Sequence, residues 1–323
     1  MKTDKPQISI LMAVYNPNPD WFREQLESLN AQTYPNIRLY VRDDCSSAVP
    51  FDTVREYLKK YITAFPCEIA RNEKNLGSNA TFERLTRDAD GEFFAYCDQD
   101  DVWLPEKLSV LQALMQRKNA AVACSDMYLI DGAGKHMADS IRDLRRHHVF
   151  HEGDDAAQGL LFYNFAAGCT MMARAELCKA AMPFCPYMIH DHYLALYCAA
   201  HGSVAVADRN LVRYRLHGDN QTLLTADAED RESYYQVRIL GYLHRLEWLQ
   251  EHFACGEAMQ REIAEGLLWL RARERNWRHG GGKLTIWKYR RFGTVSSLYE
   301  IFANWLPEPL FRLCLKARKR GRT

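Results

Sequence analysis

Apolar blocks alternate with amphipathic ones through the first two-thirds of this chain. Ile8–Tyr15 (ISILMAVY) is a continuous apolar, β-branched run, the pattern of a strand covered on both faces. Asn16, Pro17, Asn18 and Pro19 break it, and Trp21 to Gln32 then carries Trp21, Phe22, Leu26 and Leu29 at helical spacing. The alternation continues. Ile37–Val41, Cys67–Ala70 and Phe93–Tyr96 read as strands, Val54–Tyr61 and Thr81–Asp88 as helices, and Pro105 opens another helix. Further apolar runs at Ala121–Leu129, Phe165–Met172 and Ser203–Ala207 predict strands, and 176–181 and 187–197 predict helices. This order predicts an α/β fold with a doubly wound, mostly parallel Rossmann-like sheet. From Ala226 the period changes. Tyr234, Val237, Leu240, Leu243, Leu246 and Leu249, then Ile263, Leu267, Leu270 and Trp277, mark long helices on either side of a turn. The expected division is a 1–225 domain and a 226–323 helical extension with a basic tail.

The polar residues at the strand ends change the picture from fold to chemistry. The first strand ends at Asn16, the second at Asp43 and Asp44, and the fourth at Asp98, Gln99, Asp100 and Asp101. In a parallel sheet these ends share one edge, where ligands of open α/β folds bind. Three carboxylates closing a buried strand are costly unless a cation meets them, and carboxylate oxygens suit Mg²⁺ or Mn²⁺. The first strand is not followed by GxGxxG, and no Walker loop is present, so a metal is the expected holder of phosphates. The loop Asn72–Asn79 carries Asn75 and Gly77, and Gly77 permits close approach of a ligand.

Composition narrows the class. The 323 residues are 47% hydrophobic and 26% charged, with a net charge of +1. That is globular and neither disordered nor collagenous. Ten cysteines without a CxxC pair predict reduced, buried thiols in a cytosolic protein. The opening MKTDKPQ does not read as a secretory signal, and there is no run of eighteen apolar residues.

ISILMAVYN, VRDDCSS, NLGSN and DQDDVW, in this order and spacing, resemble family 2 glycosyltransferases with the A-type nucleotide-sugar transferase fold. The bacterial rhamnosyltransferase-like group that builds surface polysaccharides is the flavour they resemble most. The resemblance implies that Ala13, Tyr15 and Asp43 line the pocket for the base, with Asn16, Asn75 and Gly77 among the donor-binding residues. It implies that Asp98 approaches the ribose, that Asp100 holds Mn²⁺ or Mg²⁺ on the diphosphate, and that Ala167–Gly168 passes beside the donor sugar. A late histidine, His217, completes the metal or diphosphate shell by the same resemblance. Arg215 has the geometry to support phosphates.

The stretch YMIHDHYLALY places His190, Asp191 and His192 at the start of a helix. Asp191 could simply cap that helix. In context it reads as the base that removes the acceptor hydroxyl proton, and the resembling enzymes open such a helix with an acidic base. The expected activity is an inverting, metal-dependent glycosyltransferase moving a sugar such as rhamnose. Its donor would be dTDP- or UDP-linked, and its acceptor a bacterial surface glycan or lipid-linked oligosaccharide. Two other readings stand beside it: a metal-dependent phosphohydrolase using His190, Asp191 and His192, and a non-catalytic glycan-assembly scaffold. The segment 139–155, rich in His and Arg, reads as a loop near the site or a solvated basic surface. The tail from Arg312 to Arg322 carries six basic residues and no acid, which suits anionic lipid at the inner face of the cell membrane. No base-reading motif accompanies that charge, so nucleic acid is not an expected partner.

Overall fold

The computed structural model describes residues 5–218, 228–303 and 306–320, without the side chains of 316–320. The chain divides into two units. The first comprises Met1–Asp143, His148–Phe184 and Met188–His217; the second comprises Leu144–His147, Cys185–Tyr187 and Gly218–Thr323. The boundary expected at 225/226 lies outside the described residues, as does Asn220.

The first unit is an α/β layer structure. In chain order its elements are β1 (Ile8–Val14), α1 (Pro19–Asn30), β2 (Ile37–Asp43), α2 (Phe51–Tyr61), β3 (Cys67–Arg71), α3 (Ser78–Asp88) and β4 (Phe93–Cys97). Then come β5 (Val102–Trp103), α4 (Lys107–Lys118), β6 (Val122–Cys124), β7 (Tyr128–Ile130), β8 (His136–Ala138), α5 (Ile141–Leu144, its last residue counted with the second unit) and α6 (Ala156–Leu160). The unit closes with β9 (Met172–Arg174), α7 (Ala175–Ala180), α8 (His190–Ala200), β10 (Val204–Val206) and β11 (Val212–Arg215).

Seven strands form the main sheet in the order β10-β6-β9-β4-β1-β2-β3. β1 is central because its apolar run needs cover on both faces: Ile8, Ile10, Leu11 and Met12 are fully buried. It pairs in parallel with β2 (Val14 opposite Asp43) and β4 (Met12 opposite Cys97), so the three polar strand ends do lie on one edge. α1 starts where it does because Asn18 Oδ1 accepts from the amides of Asp20 (3.0 Å) and Trp21 (3.3 Å), with Pro19 in the first turn.

Three segments differ from the sequence expectation. Phe165–Met172 is not one strand: Gly168–Thr170 forms a tight 3₁₀ turn, and the strand is β9, antiparallel between β4 and β6. The Gly168 amide is spent on a side chain, so it is lost to a sheet ladder. Ala121–Leu129 splits into β6 and β7, which join different sheets. Asp126 makes the break by accepting from Met127 N (2.8 Å), Ile141 N (3.1 Å) and Ser140 Oγ (2.6 Å). The last two bonds also pin the start of the 139–155 segment. Finally, Val212–Arg215 is itself a strand, in a second sheet of order β5-β11-β7-β8.

The second unit is helical, as expected. α9 (Arg231–Tyr234) continues through a wide π turn, Tyr235–Leu240, into α10 (Gly241–His252). α11 (Glu257–His279), α12 (Lys283–Lys288), α13 (Thr294–Ala303) and α14 (Glu308–Arg320) follow. Tyr234, Tyr235, Ile239, Phe311 and Leu315 build its core, with Trp277 stacked on Tyr234 at 5.3 Å. Inside it Arg273 meets Glu300 through two hydrogen bonds, at 2.7 and 2.5 Å. Tyr234 Oη also donates to Glu300, at 2.7 Å. Among the described residues no helix is long and apolar enough to cross a membrane, and all ten cysteines are free thiols.

Candidate active site

The site is assembled from loops that the parallel strands deliver to one edge. Asn16, just past β1, adopts a left-handed backbone (φ 43°), which asparagine tolerates better than most residues. Its Oδ1 accepts from the amides of Ser47 (2.9 Å) and Ala48 (2.8 Å), and its own amide donates to Ser46 Oγ (2.8 Å). This ties the end of β1 to the loop after β2. Half-buried Ala13 sits opposite Arg42 in the ladder. Tyr15 and Gln99 exchange two hydrogen bonds, at 2.9 and 3.0 Å, joining β1 to the acidic turn after β4. The Tyr15 side chain itself is exposed.

Asp43 is fully buried and meets Arg71 Nε at 3.0 Å and the Ser46 amide at 3.1 Å. Its neighbour Asp44 has a role that the sequence reading did not assign. Asp44 accepts from Leu76 N, Gly77 N and Asn72 Nδ2, each at 2.8 Å, and so fixes the whole Asn75–Gly77 loop. Asn75 Oδ1 adds a bond to Gly77 N, at 3.0 Å. Gly77 takes φ 80°, ψ 161°, a region open in practice only to glycine. The acidic pair was the signal, and the loop it grips became visible only in three dimensions.

The acidic turn splits its carboxylates among different tasks. Asp101 is buried and accepts from Arg215 N at 2.9 Å. Asp100 Oδ2 accepts from His217 Nε2 at 2.9 Å, and the His217 ring lies 4.8 Å from Trp21. Burial, followed by repulsion from Asp100 and Asp191, pushes Asp98 up to about 7. Arg215, expected at the phosphates, is fully buried and braces the turn. Its Nε donates to Asp100 O (2.8 Å), its Nη1 to Asp131 O and Gly132 O (both 3.3 Å), and its Nη2 to Glu24 (2.5 Å).

Beneath the turn lies Lys107, which the sequence reading passed over as a helix residue. It is fully buried, donates to Cys169 O at 2.6 Å, and is lowered to about 7 by burial. Among the described residues, one group of three possible metal ligands comes together: Asp98, Asp101 and Cys169, within 4.8 Å. A thiol is a poor partner for Mg²⁺ or Mn²⁺. Asp100 and His217 fit better, being a hard oxygen and an imidazole already side by side at the rim. The crowding of Asp98, Asp100 and Asp101 is the feature that a divalent cation would relieve.

Asp191 sits in the first turn of α8, where the helix dipole favours an anion. Its Oδ2 accepts from Gly168 N (2.8 Å) and its Oδ1 from His192 N (2.6 Å). Burial outweighs these bonds and raises its carboxyl to about 6. A Cβ added at Gly168 would stand 3.3 Å from both Asp191 Cβ and His190 Nε2, so the glycine lets this turn close onto the base. His190 stacks on Phe82 at 3.8 Å and is lowered to about 3 by burial. His192 instead points its Nε2 at Leu160 O, 2.6 Å away. The two rings thus have different partners, and among the described residues His190, Asp191 and His192 are not gathered as a group of three metal ligands. Asn79 Nδ2, donating to Met188 O at 3.0 Å, links the Gly77 loop to the segment before α8.

A sequence profile described as glycosyl transferase family 2 matches residues 9–178. An uncharacterized glycosyltransferase of Nostoc sp. is 25% identical over 234 residues, 70% of this chain and 70% of that protein. Across four curated matches the chain spans from 45% to 76% of the relative's length. The fold is similar to that of S. aureus TarS 1-349 in complex with UDP-GlcNAc, at TM-score 0.61, 16% identity, and 98% and 92% coverage of the two chains. It is also similar to that of the mannosyltransferase PcManGT from Pyrobaculum calidifontis in complex with GDP-Man and Mn²⁺, at TM-score 0.58, 13% identity, and 99% and 81% coverage. With more than half of its length matched by the family profile, and with the mostly parallel sheet of the A-type fold, the chain belongs to glycosyltransferase family 2.

Proposed function

We propose that this chain transfers a hexose from a nucleoside diphosphate to a hydroxyl of a surface glycan or lipid-linked oligosaccharide, with inversion at the anomeric carbon. The observation that carries the reading is Asp191. It is a buried carboxylate at a helix start, raised to about 6 by burial, and its charge contributes to raising Asp98 of the acidic turn. A base with that pKa is ionised at neutral pH yet basic enough to accept a hydroxyl proton. Asp191 takes the proton as the acceptor oxygen attacks the anomeric carbon, and the electron pair of the breaking bond leaves with the diphosphate. A single displacement of this kind requires one base and inverts the centre.

The loops bound to Asn16, Asp43 and Asp44 would receive the nucleoside. Asp100 and His217 would hold Mn²⁺ or Mg²⁺, which supplies charge neutralisation on the leaving diphosphate. Arg215 serves by holding the acidic turn in place. The family similarities support a nucleotide-sugar donor, since TarS and PcManGT are described with UDP-GlcNAc and with GDP-Man. The His190–Asp191 pair favours the rhamnosyltransferase-like group, and with it a dTDP- or UDP-linked donor.

The test is thermal unfolding with UDP, dTDP and GDP, each with and without Mn²⁺. A nucleotide at a hundred times its Kd adds about 2.7 kcal/mol, visible as a melting shift. Stabilisation by one nucleotide only in the presence of metal supports the reading. Stabilisation by metal alone, with none of the nucleotides adding to it, would overturn it.

A further inference from the structure

The second unit contains a helix that faces the wrong way for a protein in water. Along α13, Ser297 and Glu300 point inward and are fully buried, while Val295 (66% exposed), Leu298 (42%) and Phe302 (69%) point outward. Positions 295, 298 and 302 share one helical face. A solvated surface helix normally shows the reverse distribution.

The orientation is locked from inside. Glu300 is held by Arg273 and Tyr234, its backbone oxygen accepts from Asn276 Nδ2 at 2.8 Å, and Trp269 Nε1 donates to Ser297 Oγ at 3.0 Å. Rolling the helix over would leave the buried Arg273 guanidinium without its carboxylate, a strongly destabilising change. The preceding helix, α12, adds Leu284 (87% exposed) and Trp287 (47%). Exposed apolar residues concentrated on adjacent elements mark a docking surface rather than scatter.

Charge identifies the partner. Residues 283–303 contain four basic residues, of which Arg291 is paired with Glu262 and Glu265, and one acid, Glu300, which is paired internally. The Arg290 guanidinium lies 4.3 Å over the Trp287 ring and donates to Trp287 O at 2.9 Å, and exposed Lys288 sits beside them. After Glu308 the sequence holds six basic residues and no acid. We infer that the α12–α13 surface is an interfacial membrane anchor, with Trp287, Leu298 and Phe302 entering the headgroup region of an anionic bilayer. Basic residues around an apolar face with an interfacial tryptophan are the features such anchors share. A second copy of this chain would instead bring like charges together. The inference stands whatever sugar the first unit transfers.

The experiment is co-sedimentation of the full chain with two kinds of vesicle. One is phosphatidylcholine alone; the other is phosphatidylcholine mixed with phosphatidylglycerol. The wild type should pellet with the anionic vesicles, and added salt should release it. Leu298→Ser combined with Phe302→Ser should lower the partition coefficient roughly tenfold or more. Lys288→Glu combined with Arg290→Glu should lower it at least about thirtyfold on anionic vesicles alone. All four positions are exposed, so melting temperature and nucleotide binding should stay at wild-type values and separate this result from the fate of the proposed reaction. Equal pelleting with both lipids, or undiminished pelleting of the serine variant, would overturn the inference. So would light scattering that shows a wild-type dimer dissolved by the serine substitutions, without vesicle binding.

Discussion

Replacing the proposed base by its neutral isostere should make the protein inactive and, above neutral pH, more stable. Asp191 has a carboxyl raised from 3.8 to about 6 by burial. A carboxyl raised on folding stabilises the fold below its unfolded value, and that stability is lost as pH rises through about 6. At about 1.4 kcal/mol per pH unit, keeping the buried charge costs the fold about 3 kcal/mol at pH 7.5 and about 1.6 kcal/mol at pH 5. Asp191→Asn removes this cost at both pH values. It also loses something, because an amide has one acceptor oxygen where the carboxylate has two. Either the Gly168 or the His192 amide then goes unmet, at a cost of about 1.5 kcal/mol. The net expectation is a gain of about 1–2 kcal/mol at pH 7.5 that shrinks to about zero at pH 5. Differential scanning calorimetry of both proteins, without nucleotide, reads this as a melting difference of a few degrees at the higher pH. Transfer activity should fall about 10²–10⁴-fold. An Asn variant that melts lower than wild type at pH 7.5 would refute the buried-charge argument. Full activity in that folded variant would refute the role itself.

Three further outcomes are expected. Asp44→Ala frees the Asn75–Gly77 loop from two hydrogen bonds and Asn72 from a third. It should cost about 2–4 kcal/mol in chemical denaturation and raise the Kd for nucleotide in calorimetric titration. Gly77→Ala meets no atom within 4 Å, so the only penalty is the backbone conformation. Urea unfolding should show a loss of about 1–3 kcal/mol, and a neutral result would mean the loop relaxes freely. Glu300→Ala leaves Arg273 charged and buried, and should destabilise the second unit by about 3–5 kcal/mol, measured by urea unfolding followed through tryptophan fluorescence.

The alternation of apolar and amphipathic runs was sufficient to place β1 to β4 and their helices, because continuous Ile, Leu and Val runs have one low-energy environment, a covered parallel strand. It also put Asn16, Asp43 and Asp98 at one edge, since parallel strands end on the same side. What periodicity could not decide were places where a side chain outbids the local pattern. Phe165–Met172 has strand composition, but the Gly168 amide bonds to Asp191, twenty-three residues away, and the segment turns there. Asp126 similarly breaks an apolar run by capturing Ser140 and Ile141. That Arg215 also braces the acidic turn follows from the positions of Glu24, Asp100 and Gly132, none of them near it in sequence. The outward face of α13 follows from a partner in another helix: Arg273 draws Glu300 inward and leaves Phe302 outside. The sequence by itself determined the elements and the chemistry available at the sheet edge, because those depend on near neighbours and on strand direction. The tertiary structure decided which group each charge serves, because a buried charge settles its energy with whatever group packing brings within about 3 Å, however distant in sequence.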